Sequence, residues 1–300
     1  MIYTVTFNPA IDYTLTVPCL LQGEINRSVD EKLFLGGKGI NVSVVLRELG
    51  YNSTALGFVA GFTGDYIESE LKKANINPCF VHLKNGVSRI CVKIRSSHET
   101  DINAQGPLVE PQELAEFMTK IDTLKDGDVL ILAGSIPKSL PANVYEQILS
   151  KIQGKAIKTI VDAEGDLLKS TLKYHPFLIK PNHKELSGVL KTPINTKEDA
   201  LIGAKKMQEM GALNVLVTLA ENGSVLLDQN GNEHKIDAPK GKLVNSVGAG
   251  DSTVAGFIAG YLATENFEHA LNLSVASGSA TAFSEGLANK QKIDEILNSL

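Results

Sequence analysis

Short apolar runs recur through the chain at Val129 to Ala133, Ile157 to Val161, Phe177 to Ile179 and Val215 to Leu219. Amphipathic stretches such as Val144 to Ile152 and Lys197 to Met210 lie among them. A run that is apolar at every position suits a strand covered on both faces, whereas the intervening stretches carry apolar residues at helical spacing. The alternation predicts an α/β fold in which a central, mostly parallel sheet is flanked by helices on both faces.

Two segments break this rhythm. Ile11 to Leu33 and Phe80 to Asn103 alternate in polarity between polar boundaries, and Asn85-Gly86 is a turn signal between candidate strands. They read either as a small antiparallel lid beside the main sheet or as extra edge strands within it. No Pro- or Ser-rich linker, internal repeat or low-complexity tract divides the chain, so residues 1–300 read as one domain.

Composition excludes several classes. Over 300 residues, 43% hydrophobic and 21% charged content is ordinary for a globular protein with a large core. A net charge of −5 disfavours non-specific nucleic-acid binding, so basic residues that hold an anion must be local. No apolar run approaches the roughly 18 residues of a membrane span. Met1 to Thr6 has the pattern of a strand and lacks the cationic and apolar regions of a signal peptide. A cytoplasmic protein with no nucleic-acid or membrane partner is expected. Cys19, Cys79 and Cys91 are odd in number, widely spaced and without a CxxC pair, which predicts reduced, mostly buried thiols.

The candidate chemistry lies in two Gly-rich segments. Gly248-Ala249-Gly250-Asp251 runs into the apolar stretch Thr253 to Ala263. Its backbone N–H groups and the positive end of the helix that follows can bind an oxyanion. Held ionised by the same dipoles, Asp251 can take a proton from a hydroxyl; taken alone, the segment reads equally as a loop with Asp251 as N-cap. The second segment, Leu35 to Val42, is again a strand, a glycine turn and a helix start. It fails the Walker A template, since Gly39 follows Lys38, and it fails the dinucleotide template, since Val42 stands where the third glycine belongs. What remains is a loop that lets a polyhydroxy ligand approach Gly36 and Gly37, with Lys38 and Asn41 as donors.

Both segments occur in order with Asn8-Pro9-Ala10-Ile11-Asp12, Ala133-Gly134-Ser135-Ile136-Pro137 and Lys180-Pro181-Asn182-His183-Lys184-Glu185. In these five motifs the chain resembles the ribokinase-like (PfkB) family of sugar kinases, nearly end to end. The resemblance implies a lid formed from segments about 11–35 and 80–105, and a homodimer joined through it. It also implies ATP-dependent phosphorylation of a phosphosugar with Mg²⁺. Asn26-Arg27-Ser28, Ile102 to Pro107 and Lys242 to Asp251 look most like the branch that phosphorylates the 6-hydroxyl of fructose 1-phosphate. Tagatose 6-phosphate and fructose 6-phosphate are the competing substrates, and a catalytically silent sugar-phosphate sensor is the alternative of another class.

Carried onto this sequence, the family's pattern makes Asp251 the base and Gly248, Ala249 and Gly250 the anion hole. Asp12, Gly36, Gly37, Asn41 and Ser135 bind the sugar, and Arg27, Arg89 and Lys38 clamp its phosphate. Arginine suits that task because its planar fork meets two phosphate oxygens at once. Lys180, Asn182, Thr218, Ala220, Gly223 and Ala276 receive the nucleotide, and Glu185 with Asn182 orders Mg²⁺ through water. Three departures stand out: Cys91 replaces an expected asparagine, Ser139 an expected glycine, and Glu164 interrupts an Asp-x-Ser-Gly element at Asp162 to Gly165.

Overall fold

The computed structural model describes residues 1–300. Strands β1 (Ile2–Thr6), β2 (Ala10–Thr16) and β3 (Asp30–Gly36) lead into helix α1 (Lys38–Glu48), then β4 (Ser53–Ala60), α2 (Gly61–Lys73), β5 (Asn77–Pro78) and β6 (Val81–Leu83). Next come β7 (Arg89–Arg95), β8 (Thr100–Asn103), α3 (Pro111–Asp122), β9 (Val129–Ala133), α4 (Val144–Lys151), β10 (Lys158–Asp162) and α5 (Gly165–Thr171). The chain continues through β11 (Leu178–Ile179), α6 (His183–Leu190), α7 (Lys197–Glu209), β12 (Asn214–Thr218), β13 (Ser224–Leu227) and β14 (Glu233–Ile236). It ends with α8 (Ala249–Thr264), α9 (Phe267–Ala282) and α10 (Lys290–Leu297).

Nine strands of the main sheet run in the order β14-β13-β12-β11-β10-β9-β1-β4-β5, and β6 pairs with β4 to make ten. From β12 to β4 every ladder is parallel; β13 and β14 add an antiparallel edge. Alternate residues of one strand feed opposite cores: Leu130 and Leu132 of β9 join the larger apolar cluster, while Val129, Ile131 and Ala133 join the second. That double burial is what the uninterrupted apolar runs anticipate.

A second sheet, β3-β2-β7-β8, stands apart from the first. Its outer ladders are antiparallel, but its central pair, β2 with β7, is parallel. The physical reason is that β6 does not pair with β7. It adds to β4 of the main sheet, so the Asn85-Gly86 turn carries the chain from one sheet to the other instead of closing a hairpin. The expectation of mostly buried thiols is corrected too: Cys91, within β7, is buried, whereas Cys79, between β5 and β6, is half-buried and Cys19, in the loop after β2, is exposed.

Candidate active site

The parallel strands deliver their functional groups at their carboxyl ends, where open α/β sheets bind ligands. Asp162 ends β10, Lys180 follows β11, and Thr218 ends β12. A parallel bridge between Asn182 and Thr218 sets those two residues side by side.

Helices α1 and α8 both begin at glycines without a side-chain cap, Gly37 and Gly248. Gly248 has φ of 79°, a left-handed conformation that glycine adopts without strain. Asp251 lies inside the first turn of α8 and is not the N-cap residue, and the backbone N–H groups of Gly250 and Asp251 have no partner within the chain. Those bare donors at the positive end of a helix make an anion site. Lys180 completes it: a Cβ built on Gly250 would lie 3.3 Å from the Lys180 Nζ.

Asp251 is 5% exposed and accepts a hydrogen bond from Asn41 Nδ2 at 2.7 Å. Burial pushes its carboxyl from 3.8 up to about 6; Asp162 pushes the same way, and the Asn41 bond, Lys38 and Lys180 oppose them. Burial thus works against the ionised state expected for Asp251 without neutralising it at neutral pH. A carboxylate near 6 remains ionised at neutral pH and is a stronger base than an exposed one.

Asp162 itself is 2% exposed. Its Oδ1 lies 3.2 Å from Lys180 Nζ and its Oδ2 3.3 Å from Lys38 Nζ. Burial alone would raise this carboxyl, but the two ammonium groups reverse the direction and hold it below the ordinary value. For Lys38, burial opposes charge, yet Asp162, Asp251 and Glu185 together raise its affinity for the proton. In the sequence Asp162 stands out only as the first residue of the interrupted Asp-x-Ser-Gly element and as an acidic residue closing an apolar strand, and neither gives it a role.

On the lid, Asp12 is half-buried and opposes Cys91 in register. Gly36 makes room for it: a Cβ there would lie 2.8 Å from Asp12 Oδ1. Burial raises the Asp12 carboxyl, and Lys93, then Arg89, pull it back. Lys93 was not anticipated. It lines a cavity of about 400 Å³ beneath the lid, with Asp12 and Phe34 beside it and Asn41, Asn245 and Leu287 opposite. Its ammonium group also donates to Asp101 at 3.0 Å. Arg89 donates from Nε to the Asn8 carbonyl at 3.0 Å, whereas Arg27 is exposed in the loop between β2 and β3 and forms no ion pair or hydrogen bond with the rest of the site.

Asn182 and Glu185 form a capping box. The Asn182 side chain accepts from the N–H groups of Lys184 and Glu185, and Glu185 Oε2 accepts from Asn182 N–H at 2.8 Å. The other Glu185 oxygen, Oε1, has no partner in the chain. Thr218 leads into a single 3₁₀ turn, Ala220–Asn222, which Gly223 closes with a positive φ. Ser135 is exposed in the loop after β9. Ala276 is fully buried in the core and exposes no surface to a ligand. Ser139 Oγ accepts from Val109 N–H at 3.1 Å, which gives that departure a local structural reason.

An anion hole at a helix start, a buried carboxylate and two paired ammonium groups are an arrangement that suits transfer of a phosphoryl group to a hydroxyl. Residues 5–294 match the model of the pfkB family carbohydrate kinases, and the chain belongs to that family. It is similar to a 1-phosphofructokinase of Bacillus subtilis, 44% identical over 99% of this chain and 97% of the relative. It is also similar to a D-tagatose-1-phosphate kinase of Bacillus licheniformis, 37% identical over 98% and 97%. Among solved structures, phosphofructokinase-2 from Escherichia coli in complex with substrates and products superposes with a TM-score of 0.93, at 27% identity, over 100% of this chain and 99% of that one. The fold is thus ribokinase-like, and the protein is a carbohydrate kinase, a phosphotransferase with a hydroxyl acceptor.

Proposed function

We propose that this protein transfers the γ-phosphoryl group of ATP to the 6-hydroxyl of D-fructose 1-phosphate, giving fructose 1,6-bisphosphate. The observation that carries this reading is the buried Asp251 carboxylate, raised to about 6, in the first turn of an uncapped helix.

In this reading Asp251 accepts the proton of the 6-hydroxyl as its oxygen attacks the γ-phosphorus, and the bond from that phosphorus to the β,γ-bridging oxygen breaks. The proton ends on Asp251, and ADP leaves with the bond's electron pair. The N–H groups of Gly250 and Asp251, with Lys180, neutralise charge on the transferred group, while Gly248 and Ala249 shape the turn that bares them. Asp12, Asn41 and Ser135 orient the sugar, Gly36 and Gly37 admit it to the backbone, and Lys38, Arg89 and Arg27 receive its phosphate. Lys180, Asn182, Thr218, Ala220 and Gly223 hold the nucleotide, and Ala276 supports its pocket from within the core.

The Glu185 oxygen Oε1 is a hard donor without the full cage of a protein-bound ion, which suits Mg²⁺ held through water and phosphate, with Asn182 setting the Glu185 carboxylate through the capping box. When bound, that ion would shield phosphate charge. A homodimer belongs to the same reading. Leu33, Ile90 and Ile102 are exposed on the lid, with Leu33 and Ile102 in the row Leu33–Tyr13–Val92–Ile102 across its outer face, an apolar face suited to a second lid. No helix is long and apolar enough to cross a membrane. A cytoplasmic location is inferred from the substrates, which are intracellular metabolites.

The choice of sugar is supported by the 1-phosphofructokinase relative and by the second relative, whose name also specifies a 1-phosphate. Product analysis by ³¹P NMR tests it. Incubation with Mg-ATP and fructose 1-phosphate should yield two phosphomonoester signals matching authentic fructose 1,6-bisphosphate, and an unaltered substrate signal would refute the proposal.

A further inference from the structure

Asp162 has no part in the steps given so far, yet it is the most enclosed charge of the site, at 2% exposure. Lys38 reaches it from the start of α1 and Lys180 from the turn after β11, each taking a different oxygen, at 3.3 and 3.2 Å. A lysine side chain is a flexible stem with rotamer entropy to lose when it is held in one place. A carboxylate that takes one ammonium group on each oxygen settles that loss before any substrate arrives. Stability is a poor explanation for the triad, because buried ion pairs gain little over apolar packing of the same volume.

We propose that Asp162 is the positioning residue of the phosphoryl-transfer site, fixing Lys38 on the sugar-phosphate side of the cleft and Lys180 on the side that receives the transferred group. The proposal rests on the phosphoryl-transfer reading above. A second consequence follows from charge. The groups facing Asp251 are the Asn41 amide and Lys38 from α1, Asp162 from β10, and Lys180 after β11, and of these only Asp162 is negative. It therefore makes Asp251 a stronger base while ordering the lysines.

The test compares Asp162→Asn and Asp162→Glu with the wild type, using Mg-ATP and whichever sugar phosphate the wild type turns over fastest, across pH 5 to 9. Asp162→Asn should lower kcat about 10- to 100-fold, the scale of a misplaced catalytic group. The acid limb of its profile should move to lower pH, because the like charge facing Asp251 is gone. The substrate phosphate also titrates near 6, but equally with every enzyme, so the difference between profiles isolates the protein. Asp162→Glu keeps the charge and moves it by a methylene; its acid limb should stay in place while kcat falls at least about 5-fold.

An unmoved acid limb in Asp162→Asn, or a kcat within twofold of wild type in either variant, would overturn the proposal. If Asp162→Asn does not fold, the kcat of Asp162→Glu decides alone. Failure of the wild type on every sugar phosphate would instead overturn the functional reading, so the two failures are separable.

Discussion

Asn41 Nδ2 donates to Asp251 Oδ2 at 2.7 Å across 210 residues of chain, and this one bond ties the start of α1 to the start of α8. It aims the carboxylate at the cleft and leaves its second oxygen free. The two Gly-rich segments therefore meet in one site; in the proposed function one presents the sugar and the other the base.

Replacement of Asp251 by Asn should reduce kcat by at least ~10²-fold, the scale of general-base catalysis, with nucleotide affinity little changed. Steady-state kinetics with a nucleotide-binding isotherm check this. In the wild type kcat should fall as pH drops below about 6, where the base becomes protonated.

The same substitution should stabilise the free enzyme at alkaline pH. A carboxyl raised from 3.8 unfolded to about 6 folded binds its proton more tightly in the native state. Its cost to stability is absent below 3.8, grows through that window and is complete above about 6; at 1.36 kcal/mol per unit it is on the order of 3 kcal/mol. The Asn variant's gain in Tm over wild type should therefore widen between pH 5 and pH 8. An advantage that is constant across this range would contradict the burial argument.

On the lid, Arg89→Ala should weaken sugar-phosphate binding by ~1.5–3 kcal/mol, the range for charge-assisted hydrogen bonds, and spare ATP. Arg27→Ala should do the same if that exposed side chain joins the clamp when substrate binds. Equal losses with unphosphorylated fructose would show that neither residue reads the phosphate. Lys93→Met should raise the sugar KM and leave the KM for ATP unchanged, because Lys93 is the foremost cation acting on Asp12.

Gly36→Ala tests the fit between the glycine turn and Asp12. The added methyl would stand 2.8 Å from the carboxylate, so Asp12 must move or the turn must open. The expected result is a rise of at least tenfold in KM for the sugar phosphate, with a smaller change in Tm than a core substitution would cause. Fluorescence melting and kinetics on one preparation separate the two effects.

Much of this architecture was legible in the sequence because it rests on local periodicity. Val129 to Ala133 is a strand as its apolar pattern requires, and the helix after Gly248 begins at the following alanine. What stayed hidden depends on contacts between distant elements. Asp162 closes a strand as many aspartates do, and its role emerges only when Lys38 and Lys180 converge on it from opposite sides. Lys93 reaches the cavity through a ladder register that no single strand specifies. The raised proton affinity of Asp251 was not legible, because its main cause is desolvation, which a motif does not display. The Asn85-Gly86 turn was legible as a turn but not as a crossing between sheets, since pairing of β6 with β4 is a tertiary choice.

The most direct measurement is ADP release with Mg-ATP, comparing kcat/KM for fructose 1-phosphate, tagatose 1-phosphate, fructose 6-phosphate and tagatose 6-phosphate on one enzyme preparation. Fructose 1-phosphate should give the highest value and lose at least ~10²-fold in kcat when Asp251 is replaced by Asn. Preference for any of the other three sugars, or turnover that survives loss of the Asp251 carboxylate, would contradict the account.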